Sequence, residues 1–323
     1  MATREDDRRW MMAAIALAGR SRGRTAPNPN VGCIIVHDGQ VIGRGVTQAG
    51  GRPHAEAQAL AMAGNVEGAT AYVTLEPCAH ISKRGPACAD LLAAAALARV
   101  VVALTDPDPR TNGRGIARLE AAGIAVTTSV ATEEARRSMA GFFSRRASNR
   151  PHVTLKLATS LDGCIAMADG RSRWITGEAA RAHCHLERSR HEAILVGRGT
   201  FDADAPRLDV RLPGLADRSP RRLLLTHGAA PNGWTAIPRP EAIAELEGVD
   251  HLFVEGGAAT AAAFLRADLV DRLLVYTAPI LIGGGRPAIT DIGLGDLASA
   301  HGRWCMTDTR MLGSDRLTIY ERC

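Results

Sequence analysis

Two α/β domains in one chain are predicted by three observations. Segments of helical periodicity alternate with β-rich runs, the 323 residues exceed what one core organises, and Asp38-Gly39 sits between two β-rich runs. Alternation implies helices layered on a sheet. Chains beyond about 250–300 residues usually split into domains. An Asp-Gly pair flanked by apolar runs is a strong hairpin signal, so at least one strand pair is antiparallel and the first sheet is mixed.

Each element follows in order. The acidic lead REDD before RRWMMAAIALAG suits the first turn of a helix, at the favourable end of its dipole. NPNVGCIIVHDGQVIGRGV is the hairpin. HAEAQALAMAG then reads as helix, TAYVTL as strand, CADLLAAAALA as helix, RVVVAL as strand, RGIARLEAAG as helix, IAVTTSV as strand and TEEARRSMAGFFSRR as helix. SRRASNRP, residues 144–151, is polar, aperiodic and ends in proline, which makes it the linker between domains at 1–146 and 151–323. The second domain opens with the extended HVTLKLATSLDG. It continues with the helix GEAARAHCHLERSRHE, strands AILVG and RRLLLT, the helix PEAIAELEG, the strand HLFVEGG and the helix AATAAAFLRAD. A β-rich end runs through RLLVYTAPILIGG and DRLTIYERC.

Composition excludes several classes. A 46% apolar and 23% charged chain is an ordinary globular protein. A net charge of +5 favours a phosphorylated ligand but falls short of a nucleic-acid footprint, and 4% aromatics leave little for a base-stacking surface. Seven cysteines, an odd number without a short-loop framework, read as thiols rather than disulfides and point to the cytoplasm. The pair Arg8-Arg9 followed by an apolar run imitates an export signal, but that run is too short to span a bilayer. No membrane partner is expected.

His54 and Glu56 open the alanine-rich helix after TQAGGRP. Their partners lie in TLEPCAHISKRGPACADLL, where a strand runs into Cys78 and Cys88 begins a helix. One imidazole and two thiolates supply three of zinc's four tetrahedral positions and leave the fourth to water, whose pKa falls to about 7. Glu56 could then carry a proton from that water to a leaving amine. This histidine, glutamate and proline-cysteine pattern is that of the zinc deaminases. The usual second cysteine lies three after the first, where Ile81 stands here. Two other readings are a closed site with His80 as fourth ligand and buried thiols without metal.

In the second domain no GxGxxG follows a strand. FVEGGAATAAAFL gives a strand, Glu255, two glycines and a helix of small residues, either a phosphate-accepting turn or an ordinary tight turn.

Taken together, APNPNVGCIIVHDGQVIGRG, PHAEAQAL, GATAYVTLEPCAH, GPACADLL and TLKLATSLDGCIAMADGRSRWIT resemble the bifunctional riboflavin biosynthesis family over nearly the whole chain. That family joins a pyrimidine deaminase to a reductase acting on the product. The resemblance implies an N-terminal cytidine-deaminase-like αβα sandwich with a mixed sheet and a C-terminal dihydrofolate-reductase-like α/β domain. It implies one Zn2+ held by His54, Cys78 and Cys88, with Glu56 as proton carrier. NADPH would lie against Ala158, Trp174, Thr200, Asp204 and Gly257. A phosphorylated pyrimidine would meet Ser172, Arg188, Leu208, Arg211 and Glu255, with Arg188 and Arg211 able to hold its phosphate. His80 and Lys83 are further candidates beside that phosphate, Lys83 and Arg84 reading equally as a solvated pair. Lys156 either orders the reacting end or is a sheet-edge lysine. The implied reactions are deamination of 2,5-diamino-6-(5-phosphoribosylamino)pyrimidin-4-one and reduction of the product's ribosyl group to ribityl.

Departures stand at Thr47, where the family tends to have histidine, in the longer loop between the cysteines, and at Thr226 and His227, where it shows an acidic-plus-polar strand end near the cofactor. Competing expectations are a tRNA-type deaminase with an accessory domain, a deaminase with an inactive reductase half, and a structural zinc module, against which Glu56 argues. The sequence leaves a homo-oligomer open.

Overall fold

The computed structural model describes residues 3–80 and 85–323 as two compact units that divide after Ala147. In the first, Thr3 caps helix α1 (Arg4–Ala18) through a capping box with Asp6, and Glu5, Asp6 and Asp7 fill the first turn, as the acidic lead predicts. Strands β1 (Gly32–His37) and β2 (Gln40–Val46) form the expected hairpin, with Asp38 (φ 48) and Gly39 (φ 74) both in the left-handed region the tight turn requires. Then come α2 (Ala55–Ala63), β3 (Thr70–Val73), α3 (Cys88–Ala94), β4 (Arg99–Val102), α4 (Arg114–Ala121), β5 (Ala125–Thr127), α5 (Thr132–Ser138) and α6 (Ala140–Ser148).

The sheet runs β2-β1-β3-β4-β5, antiparallel across β2-β1-β3 and parallel across β3-β4-β5. Gly45 sits opposite Cys33, one residue on from Gly32, so the two glycines face opposite sides of the sheet. A Cβ on Gly32 would stand 2.2 Å from Ala14 O of α1, and one on Gly45 2.1 Å from Ala55 O of α2. The helices therefore cover opposite faces at backbone contact, which fixes the start of α2 against the sheet. This is the layered sandwich the alternation predicts.

Two details differ. The helix expected over TEEARRSMAGFFSRR breaks at Met139 (φ −107, ψ 23) into α5 and α6. The segment expected as linker is helical through Ser148, because Arg145 and Arg146 suit a last helical turn and Arg146 donates to buried Asp108 at 2.9 Å. Asn149 (φ 51) ends the helix.

The second unit contains β6 (His152–Thr159), β7 (Cys164–Ala166), α7 (Glu178–Arg188), β8 (Ala193–Gly197), α8 (Arg198–Asp204), β9 (Arg221–Leu225), β10 (Thr235–Ile237), β11 (His251–Val254), α9 (Ala258–Arg266), β12 (Arg272–Thr277), β13 (Arg286–Pro287), β14 (Trp304–Leu312) and β15 (Asp315–Arg322). An eight-stranded sheet runs β10-β9-β8-β11-β6-β12-β15-β14, parallel as far as β12, with β15 antiparallel to both its neighbours. Its central strands are apolar on both faces, as for AILVG, because Ala193 and Leu195 point into one core while Ile194 and Val196 point into the other. Phe264 and Ala261 of α9 join the first core, and Ala180 and Cys184 of α7 the second.

PEAIAELEG forms a 3-10 turn, Pro240–Glu245, rather than an α-helix. The expectation of thiols throughout fails at the C-terminus, where Cys305 and Cys323 form a disulfide. Pairing of β14 with β15 puts Cys305 opposite Glu321 and brings its Cα to 5.3 Å from that of Cys323. Cys33, Cys78, Cys88, Cys164 and Cys184 are free and buried. Among the described residues no helix is long and apolar enough to cross a membrane.

Candidate metal centre and cofactor cavity

The first constellation assembles where β3 and α2 end and begin. His54 is the N-cap of α2, extended at φ −74 and ψ 163, so its ring leaves the helix toward the chain following β3. That chain is pinned: Thr74 exchanges hydrogen bonds with Gly32, and Glu76 N donates to Leu104 O at 2.8 Å. Cys78 follows, and Cys88 opens α3 with its own N–H donating to Cys78 Sγ at 3.3 Å. His54 Nδ1 stands 3.6 Å from Cys78 Sγ and 3.3 Å from Cys88 Sγ. These donors form the group able to hold a metal ion found among the described residues.

Electrostatics suit a cation there. The hydrogen bond from Cys88, and then that from His54, bring the Cys78 thiol down to about 4 against the cost of its burial. The same shared proton, with burial, pushes Cys88 upward. A thiolate is thus already favoured at the centre, and a thiolate is what zinc ligation needs. Glu56, 3% exposed, lies in the first turn of α2. Burial pushes its carboxyl up to about 7, with His54 opposing and Cys78 reinforcing the shift. A carboxyl poised near neutrality can both take and give a proton. The Asn28 amide lies 3.2 Å from His54 Nε2 on the other side of the ring.

His80 is not a fourth ligand: its Nδ1 faces Thr111 Oγ1 at 3.5 Å. Lys83 lies outside the described residues. Thr47 is buried and accepts from Val31 N at 3.0 Å, so it ties β2 to the strand entry. Sequence reasoning missed Glu76, the glutamate of TLEPC. Its buried carboxylate accepts from the backbone N–H of Asp106, Gly113, Gly115 and Ile116 at 2.8–3.2 Å, satisfying the start of α4.

In the second unit a cavity of about 1140 Å³ opens at the carboxyl ends of the parallel strands, where open α/β sheets bind ligands. Ala158, Ser172, Trp174, Arg188, Thr200, Asp204, Leu208, Arg211, Glu255 and Gly257 all line it, as does Lys156. Strand β6 runs between β11 and β12, which removes the sheet-edge reading of Lys156. Leu208 is buried with φ 53, a left-handed backbone unusual for leucine, at the wall of the cavity. Gly257 N donates to Thr200 Oγ1 at 3.1 Å, tying the turn before α9 to α8.

Arg188 grips Glu255 through Nε–Oε1 at 2.6 Å and Nη2–Oε2 at 3.0 Å, and its Nη1 donates to Asp209 O at 3.0 Å. Lys156 Nζ stands 3.7 Å from Glu255 Oε2. Burial would raise the Glu255 carboxyl, but Arg188 and Lys156 outweigh it and hold the group down at about 2. Arg188 is thus engaged with the Glu255 carboxylate at the wall of the cavity. Arg211 is half exposed, 3.3 Å from His185 through its Nε.

Comparison with known proteins decides the family. Residues 4–104 match the cytidine and deoxycytidylate deaminase zinc-binding region, and residues 151–233 and 239–314 match the RibD C-terminal domain. The riboflavin biosynthesis protein RibD of Escherichia coli is 40% identical over 96% of this chain and 97% of its own length. That of Aquifex aeolicus is 36% identical over 90% and 92%. The chain belongs to the RibD family. It carries a zinc-dependent deaminase unit and an NADPH-dependent reductase unit of riboflavin biosynthesis. The solved structure of Acinetobacter baumannii RibD superposes with TM-score 0.85 at 35% identity, covering 99% of this chain and 100% of that one. A Thermotoga maritima deaminase and reductase superposes with TM-score 0.87 at 30% identity, covering 99% of each. The cytidine-deaminase-like and dihydrofolate-reductase-like folds expected of the RibD family are those present, with mixed sheets in both units.

Proposed function

We propose that the first unit deaminates 2,5-diamino-6-(5-phosphoribosylamino)pyrimidin-4-one and that the second reduces the ribosyl group of the resulting 5-amino-6-(5-phosphoribosylamino)uracil to ribityl. The Thermotoga maritima relative is described by these two activities, diaminohydroxyphosphoribosylaminopyrimidine deaminase and 5-amino-6-(5-phosphoribosylamino)uracil reductase. The observation that carries the reading is the convergence of His54, Cys78 and Cys88 within 4.8 Å beside buried Glu56, in one chain with a cavity of dinucleotide size.

His54 Nδ1 and the Cys78 and Cys88 sulfurs are the ligands in this reading. Zinc held there would supply the Lewis acidity that activates water at neutral pH. Glu56, poised at about 7, accepts a proton at its carboxylate and returns it to the departing amine. Asn28 fixes the His54 ring from its far side.

In the reductase cavity, Ala158, Trp174, Thr200, Asp204 and Gly257 hold NADPH, which supplies the hydride. Ser172, Leu208, Arg211 and Glu255 face the substrate. Arg188 positions Glu255, whose carboxylate stays ionised and accepts from the pyrimidine. The phosphate falls to Arg211, which is accessible, while Lys156 orders the reacting end.

Metal analysis combined with ammonia release and NADPH oxidation on the diaminopyrimidine phosphate tests the reading. It expects one zinc per chain, ammonia first, and NADPH consumption dependent on the deaminated product. NADPH oxidation without prior deamination, or ammonia release by metal-free protein, contradicts it.

A further inference from the structure

Arg211 is held at the cavity wall by a side chain of α7. His185, in the last turn of that helix, lines the same cavity and lies half-buried against the segment that follows α8, Leu208 to Arg211. Its Nδ1 stands 3.0 Å from Asp209 O and its Nε2 3.3 Å from Arg211 Nε. The Asp209 carbonyl also accepts from Arg188 Nη1 at 3.0 Å, so two neighbours on one face of α7 grip this segment. Val210 N donates to Ser219 Oγ at 3.0 Å and fixes the chain between them.

Only one protonation state of His185 satisfies both contacts. A carbonyl oxygen only accepts and a guanidinium Nε only donates, so Nδ1 must carry the proton and Nε2 the lone pair. Arg211 N lies 3.3 Å from Nδ1 as well. The other neutral tautomer would gain that contact and oppose the two above. A doubly protonated ring would set N–H against N–H at Arg211 and place two cations side by side. The charged groups around the ring are Arg188 on its own helix, Arg211 and Asp209 on the facing segment, Arg207 at 2.6 Å from the Asp209 carboxylate, and Glu255 after β11. Burial first, then Arg188 and Arg211, hold the ring below its ordinary value, with Asp209 O and Glu255 opposing more weakly. The ring is therefore neutral at neutral pH.

We infer that His185 is a positioning residue of the reductase unit: its neutral ring aims Arg211 at the substrate phosphate, and protonation of the ring releases Arg211 and weakens substrate binding. The inference rests on reading Arg211 as the phosphate contact. The bond to His185 uses Nε of Arg211, and an end-on grip on a phosphate uses the two terminal nitrogens. Anchoring the side chain beforehand reduces the rotamer freedom that binding would otherwise remove.

The test uses the full chain with zinc bound, 5-amino-6-(5-phosphoribosylamino)uracil as substrate and NADPH in excess. The turnover number and the substrate Michaelis constant are measured from about pH 8 to about pH 5.5 in the wild type, His185→Ala, His185→Gln, Arg211→Ala and the combination of Arg211→Ala with His185→Gln. Near neutral pH, His185→Ala should raise the Michaelis constant about three- to tenfold, the scale of one hydrogen bond, with a smaller change in turnover. His185→Gln should restore it, because an amide can donate to Asp209 O and accept from Arg211 without titrating. Below about pH 6.5 the wild-type constant should rise more steeply than that of His185→Gln, since titration of the substrate phosphate is common to both. With Arg211→Ala in place, that difference should vanish. Parallel pH profiles, a wild-type constant that falls relative to His185→Gln in acid, or a difference that survives Arg211→Ala overturns the inference alone. An Arg211→Ala Michaelis constant equal to that of the wild type overturns the reading of Arg211 as the phosphate contact, and the inference with it.

Discussion

Arg188 and Glu255, 67 positions apart, meet as a two-pronged ion pair at the floor of the reductase cavity, with side chains only 12% and 8% exposed. Breaking a buried pair from one side leaves the other charge uncompensated. Glu255→Gln should therefore lower the stability of the second unit by about 2–4 kcal/mol and weaken substrate binding in reduction. Urea unfolding and the substrate Michaelis constant check the two effects.

The same pair has a pH signature. Glu255 is held down at about 2, below its ordinary value, so its contribution is complete above the unfolded carboxylate pKa and is lost as pH falls toward 2. Between about pH 4.5 and 2 the wild type should lose on the order of 2–3 kcal/mol through this group. Comparing unfolding midpoints over that range with Glu255→Gln isolates it. Equal acid slopes in the two proteins would contradict the assignment.

Glu76 receives four backbone N–H groups, three at the start of α4 and one at Asp106 in the chain leaving β4. Glu76→Ala strands those donors in a buried place, and the first unit should lose about 2–4 kcal/mol. Thermal unfolding followed by hydrogen exchange at Gly115 and Ile116 reads this out. The retained residual deamination should track the folded fraction.

Arg211 is one of the accessible cations lining the cavity, half exposed beside His185. Arg211→Ala should raise the substrate Michaelis constant for reduction by about tenfold, the scale of one charge-assisted contact, while ammonia release by the other unit continues. Separate assays of the two half-reactions decide it.

What the sequence made legible is local or motif-borne. Asp38-Gly39 announces its hairpin because the turn needs two left-handed residues, and AILVG announces a central strand because both of its faces are buried. His54, Cys78 and Cys88 are legible as a set because each begins or precedes a helix after a strand. What escaped depends on contacts distant in sequence or on patterns that mimic loops. Glu76 caps a helix 38 positions on, which no spacing rule shows. Strand β14 is exposed at most positions, Met306 and Met311 included, and shows no regular apolar alternation, so it was missed, and with it the Cys305–Cys323 disulfide. The pairing of Arg188 with Glu255 spans 67 residues, so no local pattern shows it.

Zinc content and ammonia release measured on Glu56→Gln test the central claim most directly, because the substitution keeps the size of the side chain and removes only its ability to carry a proton. The account predicts one zinc per chain, as in the unsubstituted protein, with ammonia release reduced by about 10²–10⁴. Deamination at the unsubstituted rate with zinc in place would contradict it.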